Sequence, residues 1–148
     1  LIASDTISMK VKAPSALAGT FQYLIAFAEG YYLRVNSDGT TSFSSRLAVN
    51  IDGNPAVSGV TMFPMDSLEH TIEATMTGSG TLKWIGARGS MPDRYIDFPV
   101  YDFAVTASSG DRFYGIHDGW SNNPQIADSV GGQNATAILF TESTWINL

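Results

Sequence analysis

Apolar and polar side chains alternate over short stretches along most of the chain, with a period of two. Thr6 to Val11 sets Ile7, Met9 and Val11 against Ser8 and Lys10. Leu47, Val49 and Ile51 alternate in the same way, and His70 to Thr77 opposes Ile72, Ala74 and Met76 to Thr71, Glu73 and Thr75. Side chains of a strand point to opposite faces in turn, so each stretch predicts a strand with one dry and one wet face. Phe21 to Ala28, FQYLIAFA, is nearly continuous in apolar side chains. It is short for a helix and rich in aromatics, which favours a buried strand over the helical alternative.

The stretches between these runs are turn chemistry. Asp38-Gly39 lies between Leu33, Val35 and Phe43. Asp52-Gly53 follows Ile51, with Ala56 to Met62 expected to pair back across it. Asp-Gly between alternating apolar residues is a strong hairpin signal, because glycine and aspartate tolerate the left-handed backbone of tight turns. Thr81 to Thr106 reads as a central hairpin, two strands joined by the polar turn GSMPDR. In its second strand Val100, Phe103 and Val105 are spaced three and then two apart, a slip that a bulge would absorb. Pro99 cannot donate a ladder bond and belongs at a strand start, an edge or that bulge. Ala135 to Phe140 is expected to be the last strand. Roughly ten to twelve short strands without a long helical period predict an all-β chain, an antiparallel two-sheet sandwich or jelly roll. The expected core is Ile72, Ala74, Leu82, Trp84, Ile85, Val100, Phe103 and Val105, although adjacent Trp84 and Ile85 cannot both face inward on a regular strand.

Composition narrows the function more than the fold. A chain of 148 residues with 44% hydrophobic content can bury a core as one domain, residues 1 to 148. Cysteine is absent, which removes disulfides, thiolate metal sites and cysteine nucleophiles. A net charge of −6 repels a phosphate backbone and speaks against nucleic acid as partner. No apolar run approaches the ~20 residues of a spanning helix, so no membrane partner is expected. The start, LIASDT, has neither an initiator Met nor a basic signal-peptide beginning, as in a domain cut from a longer chain or processed at its N-terminus.

Four segments together carry a family likeness. They are VNIDG at 49–53, LEHTIEATMTGSGTLKWIGARG at 68–89, RYIDFPVYDFAV at 94–105, and the tail IHDGWSNNPQIADSVGGQNATAILFTESTW at 116–145. In order and spacing the chain resembles the laminin G-like, concanavalin-type lectin and glucanase superfamily, as found in phage and bacterial surface proteins. It departs from that pattern at Phe98, where the family usually has Gly, and at Asp118-Gly119-Trp120, where it usually has Glu-Gly-Ser or Glu-Gly-Thr. The resemblance implies a jelly-roll sandwich, an extracellular, cell-surface or virion setting, a glycan or surface polysaccharide as partner, and Ca²⁺ at a sheet rim.

Catalysis has little support in the residues. Glycoside hydrolysis needs two close carboxylates on one strand face, one to protonate the leaving oxygen and one to attack or stabilise the cation. No E-x-D-x-E pattern occurs; Asp97 and Asp102 are five apart, and Glu69 and Glu73 straddle a strand start. His70 and His117 lack a nucleophile in a known setting, and His70 reads as a hydrogen-bonded structural histidine. The chain is therefore not expected to be an enzyme. Sugar recognition needs an aromatic face with amides or carboxylates beside it. His117 to Asn123 supplies this mixture in one window, giving Asp118, Trp120, Asn122 and Asn123 as candidate ligand-binding residues, with Asp118 and Asp128 as candidate Ca²⁺ ligands. A turn at Asn122-Asn123-Pro124 and a core lid at Trp120 are the competing structural roles. The leading expectation is a non-catalytic glycan-recognition module. The alternative is a virion decoration, fibre or adhesin domain that acts through homo-oligomer or virion-protein contacts.

Overall fold

The alternating stretches assemble into two antiparallel sheets, described by a computed structural model for residues 1–17, 21–86, 96, 98–114, 125–126 and 135–136. Ten strands form them: β1 Thr6–Lys12, β2 Gln22–Phe27, β3 Tyr32–Val35, β4 Thr41–Phe43, β5 Leu47–Ile51, β6 Asn54–Pro55, β7 Glu69–Met76, β8 Leu82–Ile85, β9 Val100–Thr106 and β10 Arg112–Tyr114. The six-stranded sheet runs β10-β9-β1-β7-β5-β6 and the four-stranded sheet β4-β3-β2-β8. A separate short pair joins β11 Gln125–Ile126 to β12 Ala135–Thr136. No helix occurs among the described residues.

The dry faces of the two sheets share one buried cluster. Ile7, Met9, Val11, Val49, Ile72, Ala74 and Phe103 enter it from the six-stranded sheet, and Leu24, Ile25, Phe27, Leu33 and Val35 from the four-stranded sheet. The molecule is thus a β-sandwich, as the alternation predicts. Phe98 is 2% exposed, its ring 5.3 Å from that of Phe63.

Three register shifts reconcile the sequence with this core. Opposite β1, Ser8 pairs with Ala104 but Lys10 with Tyr101, so β9 carries one extra residue at Asp102-Phe103. Asp102 takes it up with φ 49°, and Val100, Phe103 and Val105 all end buried, which is the bulge their spacing calls for. A second bulge places Leu24 as an extra residue of β2 between Tyr23 and Ile25, so Leu24 and Ile25 both reach the core. The third, at Lys83 in β8, lets Leu82 and Ile85 lie opposite Phe27 and Ile25 while Trp84 faces the other way, opposite Ala26. The conflict between Trp84 and Ile85 is resolved in favour of Ile85. All three β8 side chains are half-buried rather than fully buried, since β8 is the last strand of its sheet among the described residues.

Two expected pairings are corrected. Thr81 to Thr106 is not a hairpin: β8 pairs with β2 in the four-stranded sheet, and β9 pairs with β1 and β10 in the other. Each sequence run was a strand, but alternation carries no information about which partner a strand takes. Across Asp52-Gly53 only Asn54–Pro55 pairs with β5, followed by one bond from the Ala56 amide to the Val49 carbonyl at 2.8 Å. The chain then crosses to the other sheet and runs beside β4. There the Gly59 amide donates to the Thr41 carbonyl at 2.8 Å, and the Thr41 amide to the Thr61 carbonyl at 2.7 Å. The Asp-Gly signals themselves hold. Asp52 (φ 50°) and Gly53 (φ 76°) form the tight β5–β6 turn, and Gly39 (φ 84°) closes the β3–β4 turn.

Candidate functional site

In β3 the alternation splits YLRV between two environments. Leu33 and Val35 are buried in the core, while Tyr32, Arg34 and then Asn36 are half-buried on the opposite, outer face. Cross-strand partners share a face. Tyr23 of β2 and Ser42 of β4 flank Arg34, and Ala26, beside Tyr32, is flanked on its other side by Trp84 of β8. The outer face of this sheet therefore carries aromatic rings, a guanidinium, an amide and a hydroxyl in adjoining positions; Tyr23 (2% exposed) and Ala26 (0%) are covered, and Tyr32, Arg34 and Asn36 are half-buried.

Arg34 is the centre of that group. Its guanidinium carbon lies 4.1 Å from the Phe21 ring centroid and 4.8 Å from that of Tyr32. Its Nε donates to Asn36 Oδ1 at 2.9 Å and its Nη1 to the Tyr23 hydroxyl at 3.1 Å. Tyr23 and Tyr32 meet edge to face, centroids 5.7 Å apart. Three ring contacts, the third to Tyr23 at 5.8 Å, and two hydrogen bonds hold the planar cation in one orientation, each ring contact contributing about 0.5–2 kcal/mol. The amide of Asn36 is fixed in turn, because its Nδ2 donates to Thr40 Oγ1 at 2.9 Å, and Thr40 Oγ1 donates to Asp38 Oδ1 at 2.7 Å. Phe21, 43% exposed, and half-buried Tyr32 present ring surface beside this ordered polar edge.

A second polar cluster closes one rim of the sandwich. His70 has the inward parity of Ile72 but lies at the start of β7, where its Nδ1 is 2.6 Å from Asp52 Oδ2 and its Nε2 is 2.9 Å from Asp66 Oδ1. Both ring nitrogens face carboxylates, so this geometry favours the imidazolium, which donates from both. The hydrogen bond to His70, followed by the Thr71 amide, holds the Asp52 carboxyl below its ordinary range; His70 and the Leu68 amide do the same for Asp66. Burial is the largest single influence on His70 and favours the neutral ring, but the hydrogen bonds and charges of Asp52 and Asp66 outweigh it and raise the pKa. His70 is thus the hydrogen-bonded structural histidine that its position predicts. On the outer face of the same sheet, Lys10 Nζ lies 3.2 Å from Asp102 and 3.6 Å from Glu69.

Asp118, Trp120, Asn122, Asn123 and Asp128, the residues singled out for sugar and Ca²⁺, lie outside the described residues. Among the described residues no group of three or more His, Cys, Asp or Glu side chains is arranged to hold a metal ion. The Arg34 group was missed by a search for dense windows of aromatic, amide and acid, because its members come from β2, β3 and the residues flanking them. The signal that finds it is the wet face of a predicted strand: Tyr32, Arg34 and Asn36 alternate with Leu33 and Val35 in YLRVN. Compared with protein-family models, curated proteins and solved structures, the chain matches none.

Proposed function

We propose that this chain is a non-catalytic recognition module that binds glycans, built on a laminin G-like jelly roll and displayed on a virion or cell surface. The observation that carries this reading is the outer face of the four-stranded sheet, where the fixed guanidinium of Arg34 and the amide of Asn36 adjoin the rings of Phe21 and Tyr32. A pyranose offers an apolar face to a ring and hydroxyls to planar donors and acceptors, and this surface has both. Orientation is set before any ligand arrives, which lowers the ordering cost of binding. A non-catalytic role is supported by the way carboxylates are used. Asp52 and Asp66 are both held by His70, and Glu69 and Asp102 both by Lys10. Asp118, Trp120, Asn122 and Asn123 are proposed as further sugar contacts, and Asp118 with Asp128 as ligands of a rim Ca²⁺.

The test is a glycan array followed by calorimetric titration of the strongest hit. Phe21→Ala should weaken binding more than tenfold, about 1.4 kcal/mol, compared per folded molecule, since loss of the ring's contact with Arg34 also lowers the unfolding free energy by about 0.5–2 kcal/mol. A wild-type chain that binds no glycan overturns the reading. Chelation should reduce affinity if the rim Ca²⁺ is real.

A second reading, an assembly module, draws on a different observation. Val57, Val60, Met62 and Leu68 are 59%, 68%, 57% and 62% exposed. Three of them lie on a loop whose backbone is bonded along β4 and through Thr61 Oγ1 to the Val57 amide at 2.8 Å. Apolar side chains held out on an ordered loop are what a protein partner buries.

A further inference from the structure

Arg34 is a cation without a carboxylate partner among the described residues, in a chain whose net charge is −6. Its Nε–H goes to Asn36 and one Nη1–H to Tyr23, and Nη2 donates to no described residue. The side chains flanking it across the strands, Tyr23 and Ser42, are neutral. The path to an acid runs through two neutral groups, from Asn36 to Thr40 to Asp38. Lys10 and His70 each face two carboxylates, while Lys12, Arg46 and Lys83, like Arg34, have none among the described residues; Arg34 differs from these in being held by two side-chain hydrogen bonds.

We infer that Arg34 is the anion-recognising group of this surface and takes the carboxylate or sulfate of an acidic saccharide. The inference rests on the glycan reading and narrows it to a ligand class. A guanidinium presents donors in a planar fork that matches two oxygens of such a group, and the fork is effective when its plane is fixed beforehand. Here Phe21 and Tyr32 fix the plane, while Asn36 and Tyr23 fix its rotation within that plane. With the Nε–H and one Nη1–H engaged, the second Nη1–H and the two N–H of Nη2 are the donors left for the anion. Tyr32 and Phe21 lie beside it, so a sugar ring carrying that anion meets ring surface as its charge meets the fork.

The experiment is calorimetric titration with three oligomers of equal length: a galacturonate oligomer, a sulfated galactose oligomer and a neutral galactose oligomer. An acidic oligomer should bind at least about tenfold more tightly than the neutral one, with affinity falling as salt is added. Which acidic oligomer wins separates carboxylate from sulfate. Arg34→Gln should bring the acidic oligomer down to the neutral level, and Arg34→Lys, a point charge without the fork, should recover part of the difference. Comparing the galacturonate oligomer with its carboxyl-reduced form makes the same measurement on unaltered protein, so it decides even where a variant fails to fold. Equal binding of acidic and neutral oligomers overturns the inference and leaves the glycan reading standing. Unchanged acidic binding by folded Arg34→Gln overturns it as well. Failure of all three oligomers also overturns it, and the array then decides whether glycan recognition falls with it.

Discussion

Asp102 sits at φ 49° in the middle of a strand, a backbone conformation that side chains adopt at a cost and that aspartate tolerates better than most. Its carboxylate also meets Lys10 at 3.2 Å, but both side chains are well exposed and such a pair contributes little. Asp102→Val, a β-branched residue forced into the left-handed region, should lower the unfolding free energy by roughly 1–2 kcal/mol. Asp102→Gly should change it by less than about 1 kcal/mol, because glycine removes the steric penalty. Phe103, fully buried next to it, is the larger lever: Phe103→Ala should cost roughly 3–5 kcal/mol. Denaturant titration measures all three. The bulge between these residues was legible as a slip in spacing, since three apolar side chains at three-then-two offsets cannot share a face without it. The Trp84 and Ile85 conflict was legible too, but not its outcome, which depends on Lys83 being the extra residue against β2. That is a fact of pairing, absent from the composition of β8.

Between elements, the His70 clip ties the β5–β6 turn at Asp52 and the segment at Asp66 to the start of β7. Its contribution has a definite pH window. His70 has a raised folded pKa, so its share is fully present below the unfolded value of 6.5 and is lost as pH rises through the folded value. Asp52 and Asp66 have lowered folded pKa values, so theirs is present above the unfolded 3.8 and lost as pH falls through the folded values. The clip is complete between these limits. Unfolding midpoints across pH should therefore decline as pH rises above 6.5 through the folded pKa of His70, and His70→Gln should flatten that decline. A wild-type profile level from pH 6 to pH 9 would remove the clip from the account of stability. The hairpins around Asp38-Gly39 and Asp52-Gly53 were readable because turn chemistry is local. The joining of β2 and β3 in the Arg34 group was not, because these strands meet through a bulge and only their register brings Tyr23 opposite Arg34.

At the scale of the molecule, sandwich architecture followed from many short alternating runs, whereas the assignment of strands to sheets did not, as β8 and β9 demonstrate. The loop at 57–62 has a consequence at this scale. Replacing both Val57 and Val60 by Ser should leave the unfolding free energy within about 0.5 kcal/mol, because both are exposed. Under the assembly reading the same change should lower the sedimentation-measured mass of any oligomer; an unchanged oligomer would place its contacts elsewhere. The position of β1 reaches further than either site. The first strand of the chain is flanked by β7 and β9, so its ladder partners lie at residues 69–76 and 100–106. A chain made from its N-terminus onward holds Ile7, Met9 and Val11 without their neighbours until most of the sequence has been synthesised. Pairing at such separation demands loop closure before it returns any contact energy, which places folding in the millisecond-to-second range of non-local β topologies. During that interval an unpaired, half-apolar strand is free to pair with another chain. The yield of folded protein should accordingly fall with concentration during refolding, set by a strand that in the finished molecule has both of its edges covered.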